Sequence, residues 1–477
     1  MFLHLDRANK SALWQQIVTA VIAQIDRGLL REGALLTPSR VLATELGVSR
    51  STVQIAYEEL TARGYTESAG RGGTRVIARS NVAVATANRT FSTTFDMPCN
   101  RDCEGIHAQL RDWLTVNKGH PAPIDFRHQE PYVDVVFQNA WRRATIQALD
   151  AMTPQHWGYL PGHGAWETRL AVKHYLAQAR GISVEPEQIL VTSGAQQSMD
   201  LIAQALLNRG DAVASEDPGF PGARLTLAYR GMNVVGVPVD DEGMVIDNLP
   251  DTTRLAFVTP AHQRPTGAVM SVNRRRQLLD FAVARRAWVV EDDFDGEYRY
   301  HGGPLPSLFA EAPSHVLYIM TLSKVLAPGI RMAIIVGAAD AVERIAAVHS
   351  LTNRQVPAAP QMTLATFMNS GGFTKHVRRM RKLYRDRHRV MMDALTHYGL
   401  NRRFRIQGAE TGLHVFLEAD RGFDEQAAVQ SAAQVGVGIY PLAPYRYSCE
   451  RKGLLLGFAS TPEELIVEGI RRLADIL

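Results

Sequence analysis

Cysteine is scarce in this chain: three among 477 residues, at Cys99, Cys103 and Cys449. Three thiols cannot build a disulfide framework, and Cys99 and Cys103 have no companions at metal-ligand spacing, so no metal site is expected. No apolar run is long enough to span a bilayer. The opening Met1-Phe2-Leu3-His4-Leu5-Asp6-Arg7 lacks the apolar stretch of a signal peptide, which makes the cytoplasm the expected compartment. Charge of one sign is also missing. Fifty-two Lys and Arg stand against 48 Asp and Glu, a net +4, so bulk electrostatics alone does not argue for nucleic acid. What remains is an ordinary globular composition, 46% hydrophobic and 21% charged. The length exceeds what one core carries and points to two or three domains.

The first stretch has the periodicity of a small helical domain. Leu13, Trp14, Ile17, Val18, Val21, Ile22 and Ile25 recur at helical spacing, and Gly28 follows where a helix should stop. After Thr37-Pro38-Ser39, the apolar residues Leu42, Ala43 and Leu46 make a second, short helix. Gly47-Val48-Ser49 forms a tight turn, and Ser49 is placed to cap a third helix with Val53, Ala56, Tyr57 and Leu60 as its core face. Two short helices across a Gly-containing turn are a helix-turn-helix. The third helix opens with Ser49, Arg50, Ser51, Thr52 and Gln54, groups able to reach phosphates and base edges. Arg40 lies on the preceding helix. A hairpin follows, with the tip Gly70-Arg71-Gly72-Gly73, a basic wing suited to a groove. The candidate DNA-contacting residues are Arg40, Ser49, Arg50, Ser51, Thr52, Gln54, Arg71 and Gly72. A generic three-helix domain with a solvated hairpin would use the same arginines as surface charges. The strings Pro38-Ser39-Arg40, Leu46-Gly47-Val48-Ser49-Arg50-Ser51-Thr52-Val53 and Gly64-Tyr65 closely resemble the GntR family, and that resemblance implies a winged helix-turn-helix over residues 1–78.

Residues 79–122 show no sustained periodicity and read as a linker, with a short helix expected from Ile106 to Val116. From 123 onward, apolar runs at 189–191, 212–214, 233–237, 255–258, 288–290, 316–319 and 333–336 alternate with helical stretches. That pattern predicts an α/β domain with a mainly parallel sheet, whose ligands bind at the carboxyl ends of the strands. The tail from about Phe373 to residue 477 reads as a smaller α+β lobe.

The motifs cluster at those strand ends. Lys324 follows the run Val316–Ile319 within the stretch Tyr318-Ile319-Met320-Thr321-Leu322-Ser323-Lys324 and precedes Pro328-Gly329-Ile330-Arg331. Asp292 ends the run Trp288–Glu291. Ser193-Gly194-Ala195-Gln196 follows a strand and opens a helix, where backbone N–H groups attract phosphate. A lysine able to form a Schiff base, an acid for a pyridinium nitrogen and phosphate-binding elements are what pyridoxal 5'-phosphate (PLP) asks of a protein. Their order resembles the aspartate-aminotransferase fold, fold type I of PLP enzymes. The resemblance implies that Lys324 forms the Schiff base and that Thr321 or Ser323, with Arg331, binds phosphate together with Ser193, Gly194, Ala195 and Gln196. It also implies that Asp292 pairs with the ring nitrogen, Phe220 stacks on the ring, and the loop carrying His262 lines the phenol-oxygen side. Tyr159 would reach the phosphate in the partner subunit of a homodimer.

A GntR-like head joined to such a PLP domain is the plan of the MocR subfamily of GntR regulators. The strings His262-Gln263-Arg264-Pro265-Thr266-Gly267, Glu291–Tyr300, Gly412-Leu413-His414 and Leu454–Ala459 resemble it. It implies a dimeric DNA-binding transcription regulator that senses PLP, an amine or an amino acid through Lys324. The alternative reading is a working PLP-dependent aminotransferase with an appended DNA-binding domain. Two departures bear on the choice. Phe294 stands where the subfamily usually has a tyrosine whose hydroxyl bonds the cofactor's phenolate oxygen. Near Leu454-Leu455-Leu456, where aminotransferases place a substrate-carboxylate arginine, only leucines occur; Arg224, Arg446 and Arg451 are the candidate substitutes.

Overall fold

The computed structural model describes residues 3, 5–7, 11–69, 73–77, 104–118, 122–128, 130–300, 305–408 and 411–477. The chain divides into two compact units, Met1–Cys99 and Asn100–Leu477.

In the first unit, α1 (Leu13–Asp26), α2 (Ser39–Leu46) and α3 (Arg50–Ala62) pack around Ile17, Val21, Leu42, Val53, Ala56 and Leu60. The turn between α2 and α3 depends on Gly47, whose φ of 63° a side chain disfavours. Ser49 caps α3 as its spacing predicts, its Oγ accepting from the Thr52 N–H at 3.2 Å. Strands β1 (Thr66–Ser68) and β2 (Thr74–Val76) pair antiparallel as the wing.

The second unit begins with α4 (Glu104–Lys118), which is longer than the helix expected at 106–116 and plants Trp113 against Phe220. Then come β3 (Ile124–Asp125), α5 (Val135–Ala151), α6 (Trp166–Arg180), β4 (Ile189–Thr192), α7 (Ala195–Leu206), β5 (Ala212–Asp217), α8 (Pro221–Tyr229), β6 (Asn233–Asp240), β7 (Gly243–Met244), β8 (Thr253–Val258), α9 (Val272–Arg285), β9 (Trp288–Asp293), α10 (Leu308–Glu311), β10 (Val316–Thr321) and β11 (Ala333–Val336). Strands β4 to β11 form one eight-stranded sheet in the order β4-β11-β10-β9-β8-β5-β6-β7. The run β10-β9-β8-β5-β6 is parallel throughout, and β11 is antiparallel to both its neighbours. β10 is buried at all six positions, as a parallel strand covered on both faces must be.

The remaining chain supplies α11 (Ala339–Thr352), α12 (Ala358–Asn369), the long α13 (Gly372–His397), β12 (Arg405–Gln407), β13 (His414–Ala419), α14 (Glu425–Gln434), β14 (Val437–Gly438), β15 (Tyr440–Pro441), β16 (Lys452–Gly457) and α15 (Glu463–Ala474). A four-stranded sheet, β12-β13-β16-β15, makes the smaller lobe. Its separate core gathers Met380, Tyr384, Val415, Leu417, Leu454, Leu456 and Ile470. Among the described residues no helix is long and apolar enough to cross a membrane, and no cluster of His, Cys, Asp and Glu is arranged to hold a metal.

Candidate functional site

The site is built at one edge of the large sheet. β10 and β9 run side by side in parallel, with Ile319 opposite Asp292. Along β9 side chains alternate between faces, and the two faces do different work. Glu291 and Asp293 serve the scaffold: Glu291 accepts from the Phe309 N–H at 3.1 Å. Asp293 takes the Tyr318 hydroxyl at 2.6 Å and the Arg180 guanidinium at 2.9 Å. Asp292, between them, faces the other way. It is buried, and its Oδ1 has no hydrogen-bond partner. Burial, with Asp293, Asp295 and Glu216 adding like charge against the opposing pull of Arg264, raises its carboxyl to about 7.

Lys324 follows β10. The carbonyl of the next residue, Val325, accepts from both His376 Nε2 at 2.8 Å and the Tyr298 hydroxyl at 3.1 Å, which fixes the backbone that carries the lysine. Desolvation first, and the nearby Arg264 charge second, lower the Lys324 ammonium to about 7, while Asp295, Glu130 and Asp292 oppose the shift. At pH 7 about half of the chains then carry a neutral Nζ, against about one in three thousand for an ordinary lysine. Only the neutral amine is a nucleophile, so burial makes this lysine reactive near neutrality.

The phosphate-binding candidates meet at the same edge. Thr192 pairs with Ala333, and Ala333 with Thr321. Gly194 caps α7 with φ of 110°, and a Cβ there would approach the Arg331 guanidinium to 3.2 Å. A glycine is therefore needed both for the backbone and for the close passage of the arginine. Arg331 itself sits at φ 52°, left-handed, and is exposed. Gly194, Ala195 and Gln196 open α7 with Arg331 passing beside Gly194, and Thr321 ends β10 two strands across from Thr192; a helix N-terminus is a place that favours an anion.

Phe220 and His262 are brought together by Phe294 and Arg264, whose guanidinium lies 4.5 Å from the Phe220 ring centroid and 5.5 Å from that of Phe294. Phe220 is buried, backed edge-on by Trp113 at 5.9 Å. His262 Nδ1 pairs with Asp295 at 2.8 Å, and its ring stacks on Phe294 at 5.6 Å. A Cβ at Gly412 would lie 1.9 Å from His262 Cε1, so the imidazole fits only against a glycine. Glu216 braces the loop before it, accepting from Thr259 and Gln263. His128 and His414 stand close by. His414 is driven down to about 3, by burial first and then by the His262 charge, and burial likewise lowers His128.

Two arrangements test the fit to PLP. The orphaned Asp292 oxygen is a buried acceptor lacking a donor, and a protonated pyridine nitrogen is such a donor. The Gly194–Arg331 approach makes a cradle for a phosphate beside α7. The residues present fit the group.

Tyr159 is not among the cavity residues of its own chain. It is 79% exposed, with the Arg354 guanidinium 4.5 Å from its ring centroid. In the first unit Arg40, Ser49, Arg50, Ser51 and Gln54 are exposed and Thr52 is half-buried. Arg71 and Gly72 lie outside the described residues. Sequence reasoning missed Trp113, Asp295, His128 and the side chain of Arg264. Arg264 was within a motif string, but only the fold puts its guanidinium 4.5 Å over Phe220 and 5.5 Å over Phe294.

Residues 134–473 match the family described as aminotransferase class I and II, and residues 13–76 match the gntR family of bacterial regulatory proteins. Over 474 residues the chain is 34% identical to the HTH-type transcriptional regulator YdeL of Bacillus subtilis, covering 98% of this chain and 97% of that one. It is 31% identical to the probable rhizopine catabolism regulatory protein MocR of Rhizobium meliloti, covering 99% and 95%. Among solved structures, the α-aminoadipate aminotransferase LysN of Thermus thermophilus, complexed with N-(5'-phosphopyridoxyl)-L-leucine, matches with a TM-score of 0.70 at 26% identity. That match covers 79% of this chain and 96% of LysN.

Proposed function

Because the chain belongs to the GntR-type transcription regulators that carry an aminotransferase class I and II domain, the group of MocR, we propose that Lys324 and its neighbours form a PLP-dependent sensor controlling a DNA-binding head. The protein is a PLP-dependent transcription regulator. The finer reading concerns residues, assembly and signal. Residues 1–78 act as the head, 79–122 as the connection and 123–477 as the sensor, working in the cytoplasm on promoter DNA.

When bound, PLP supplies an aldehyde carbon that condenses with primary amines. The chain's own residues prepare for it. Burial pushes Lys324 Nζ toward its neutral form, the one able to attack. Asp292 would accept the N–H of the protonated ring nitrogen on its orphaned oxygen. Arg331, Thr321, Ser323 and the N–H groups of Ser193, Gly194, Ala195 and Gln196 hold the phosphate. Phe220 packs on the ring and His262 borders its phenol-oxygen side. The exposed Arg331 marks the open end of the site, and the exposed Tyr159 suits a residue donated by a partner subunit across a homodimer interface. An amine effector that displaces Lys324 shifts the balance between two arrangements of the paired heads, to the extent that it binds them unequally.

The observation that carries this reading is the juxtaposition of Lys324 and the unsatisfied Asp292 carboxylate at neighbouring parallel strand ends, in a chain headed by a winged helix-turn-helix. The test is borohydride trapping of PLP on the purified protein together with promoter binding followed by fluorescence anisotropy. Wild type should trap one PLP per chain on Lys324, and Lys324→Ala should trap none and lose amine-dependent changes in anisotropy. A reducible adduct persisting in Lys324→Ala overturns the assignment.

A further inference from the structure

A site that receives an amine must also decide which amine. In β16, where an acid-binding arginine would stand, Leu454, Leu455 and Leu456 are all fully buried in apolar clusters. The three arginines that could stand in are committed. Arg451 donates to Glu418 at 2.7 Å, to the Val239 carbonyl at 3.2 Å and to Gln407 at 3.0 Å. Arg446 donates to the Arg451 carbonyl at 3.2 Å and to Glu425 at 3.5 Å. Arg224 bonds Gln109 at 3.0 Å and lies over the Tyr447 ring at 5.0 Å.

Arg264 is different. It is 94% buried by its 6% exposure, and its guanidinium is spread over Phe220 and Phe294. Among the described residues no carboxylate or carbonyl accepts from that guanidinium. Its charge bears on Lys324, Asp292, His128 and His414, so the guanidinium that lies over Phe220 and Phe294 also stands near those four residues. Burying a cation without an acceptor is costly, and the cost falls when an anion arrives. Both rings attract the cation, but a phenyl ring accepts no N–H hydrogen bond in the guanidinium plane, so that plane remains the route for a hydrogen-bonding partner. A carboxylate matches that fork with two parallel hydrogen bonds, which a single phenolate oxygen cannot do. The phosphate has its own arginine, Arg331, at Gly194.

We propose that Arg264 is the anion clamp of the effector site, so that the effector is an amino acid: a primary amine for the PLP carbon and a carboxylate for Arg264. This rests on the sensor reading above. In effect the chain moves the carboxylate arginine from β16 to the loop after β8, next to the hydroxyl-less Phe294.

The test uses full-length, PLP-loaded protein and three probe pairs in which a methyl replaces the carboxylate: glycine and ethylamine, β-alanine and n-propylamine, 4-aminobutyrate and n-butylamine. In the exchange a bond forms from the probe nitrogen to the PLP carbon as the bond from that carbon to Lys324 Nζ breaks. The proton released by the probe returns to Nζ, and nothing is oxidised. Absorbance titration gives an exchange constant for each probe. Wild type should prefer the acid of at least one pair. In Arg264→Met that acid-to-methyl ratio should fall about ten- to hundredfold, the worth of a hydrogen-bonded charge pair; taking the ratio cancels what the loss of the Arg264 charge does to Lys324 itself. Arg264→Lys should retain part of the preference and serves as the reading if the methionine variant does not fold. An unchanged ratio, or equal losses for acid and methyl probes, overturns the clamp. So does a variant that keeps the acid preference but moves the pH midpoint of lysine-bound PLP, which would assign Arg264 to the phenolate oxygen. Wild type that exchanges amines with no acid preference also sinks the clamp but leaves the sensor standing. Wild type that takes up no PLP fails the sensor itself.

Discussion

Replacing Lys324 with methionine in cofactor-stripped protein should raise stability at neutral pH and remove a specific part of its pH dependence. In the native state burial brings the Lys324 ammonium from its ordinary 10.5 to about 7. Between those two values the unfolded chain binds the extra proton and the native chain does not, so wild-type stability rises with pH through that window. Below about pH 7 both states are protonated, and the full cost of the buried charge is present. The displacement corresponds to about 5 kcal/mol at most. Lys324 keeps some surface open to the cavity, and water there reduces the cost to about 2–3 kcal/mol. Asp292, Glu216 and Glu291 are raised to about 7, so their contributions fall as pH rises toward 7 and are complete above it. The window from pH 7 to 10.5 is therefore the place to look for the lysine. Urea or thermal unfolding of wild type and Lys324→Met, followed by the tryptophan signal at half-unit pH steps, gives the difference directly. The methionine variant should be the more stable near pH 7, with the advantage shrinking to nothing by about pH 10.5. A difference that stays flat across the window, or grows with pH, refutes the account of a desolvated amine.

Other outcomes follow from the same geometry. Asp292→Asn keeps the shape but loses the charge that pairs with a pyridinium, so PLP should bind about ten- to hundredfold more weakly by fluorescence titration; an unchanged affinity would remove Asp292 from the site. Arg40→Ala and Arg50→Ala should each lower the log–log salt slope of operator binding by about one, as loss of one phosphate contact does; unaltered slopes in both variants make them surface charges. Light scattering of the PLP-bound protein at micromolar concentration should report a dimer, and a PLP-loaded monomer would end the role given to the partner's Tyr159 counterpart. Incubation with amino-acid and keto-acid pairs should yield less than about one transamination per site, because an acid held from the loop after β8 rather than from β16, beside a Phe294 that offers no hydroxyl, does not turn the reacting bond into position; many turnovers would make the chain an enzyme first.

Much of this architecture was legible in one dimension because local physics writes it there. Period-2 and continuous apolar runs marked the strands of the large sheet, since a strand buried on both faces must be apolar throughout. β10 is such a strand. Ser49 at the start of α3 and Gly47 in the turn announced the helix-turn-helix, because caps and left-handed residues are properties of short segments. Lys324, Asp292 and the Ser193–Gln196 turn were recognisable because each follows its own strand. The tertiary structure decided what depends on residues far apart in the chain. It set Trp113 behind Phe220, gave Asp293 to Arg180 while leaving Asp292 unsatisfied, and joined His262 to Asp295 under Gly412. It also committed Arg224, Arg446 and Arg451 to other partners and left Arg264 over two phenyl rings at the cavity. Sequence spacing fixes which residues stand at a strand end, but burial, charge and unmet hydrogen bonds arise only when distant segments close around them, and those quantities determine which arginine can take an acid.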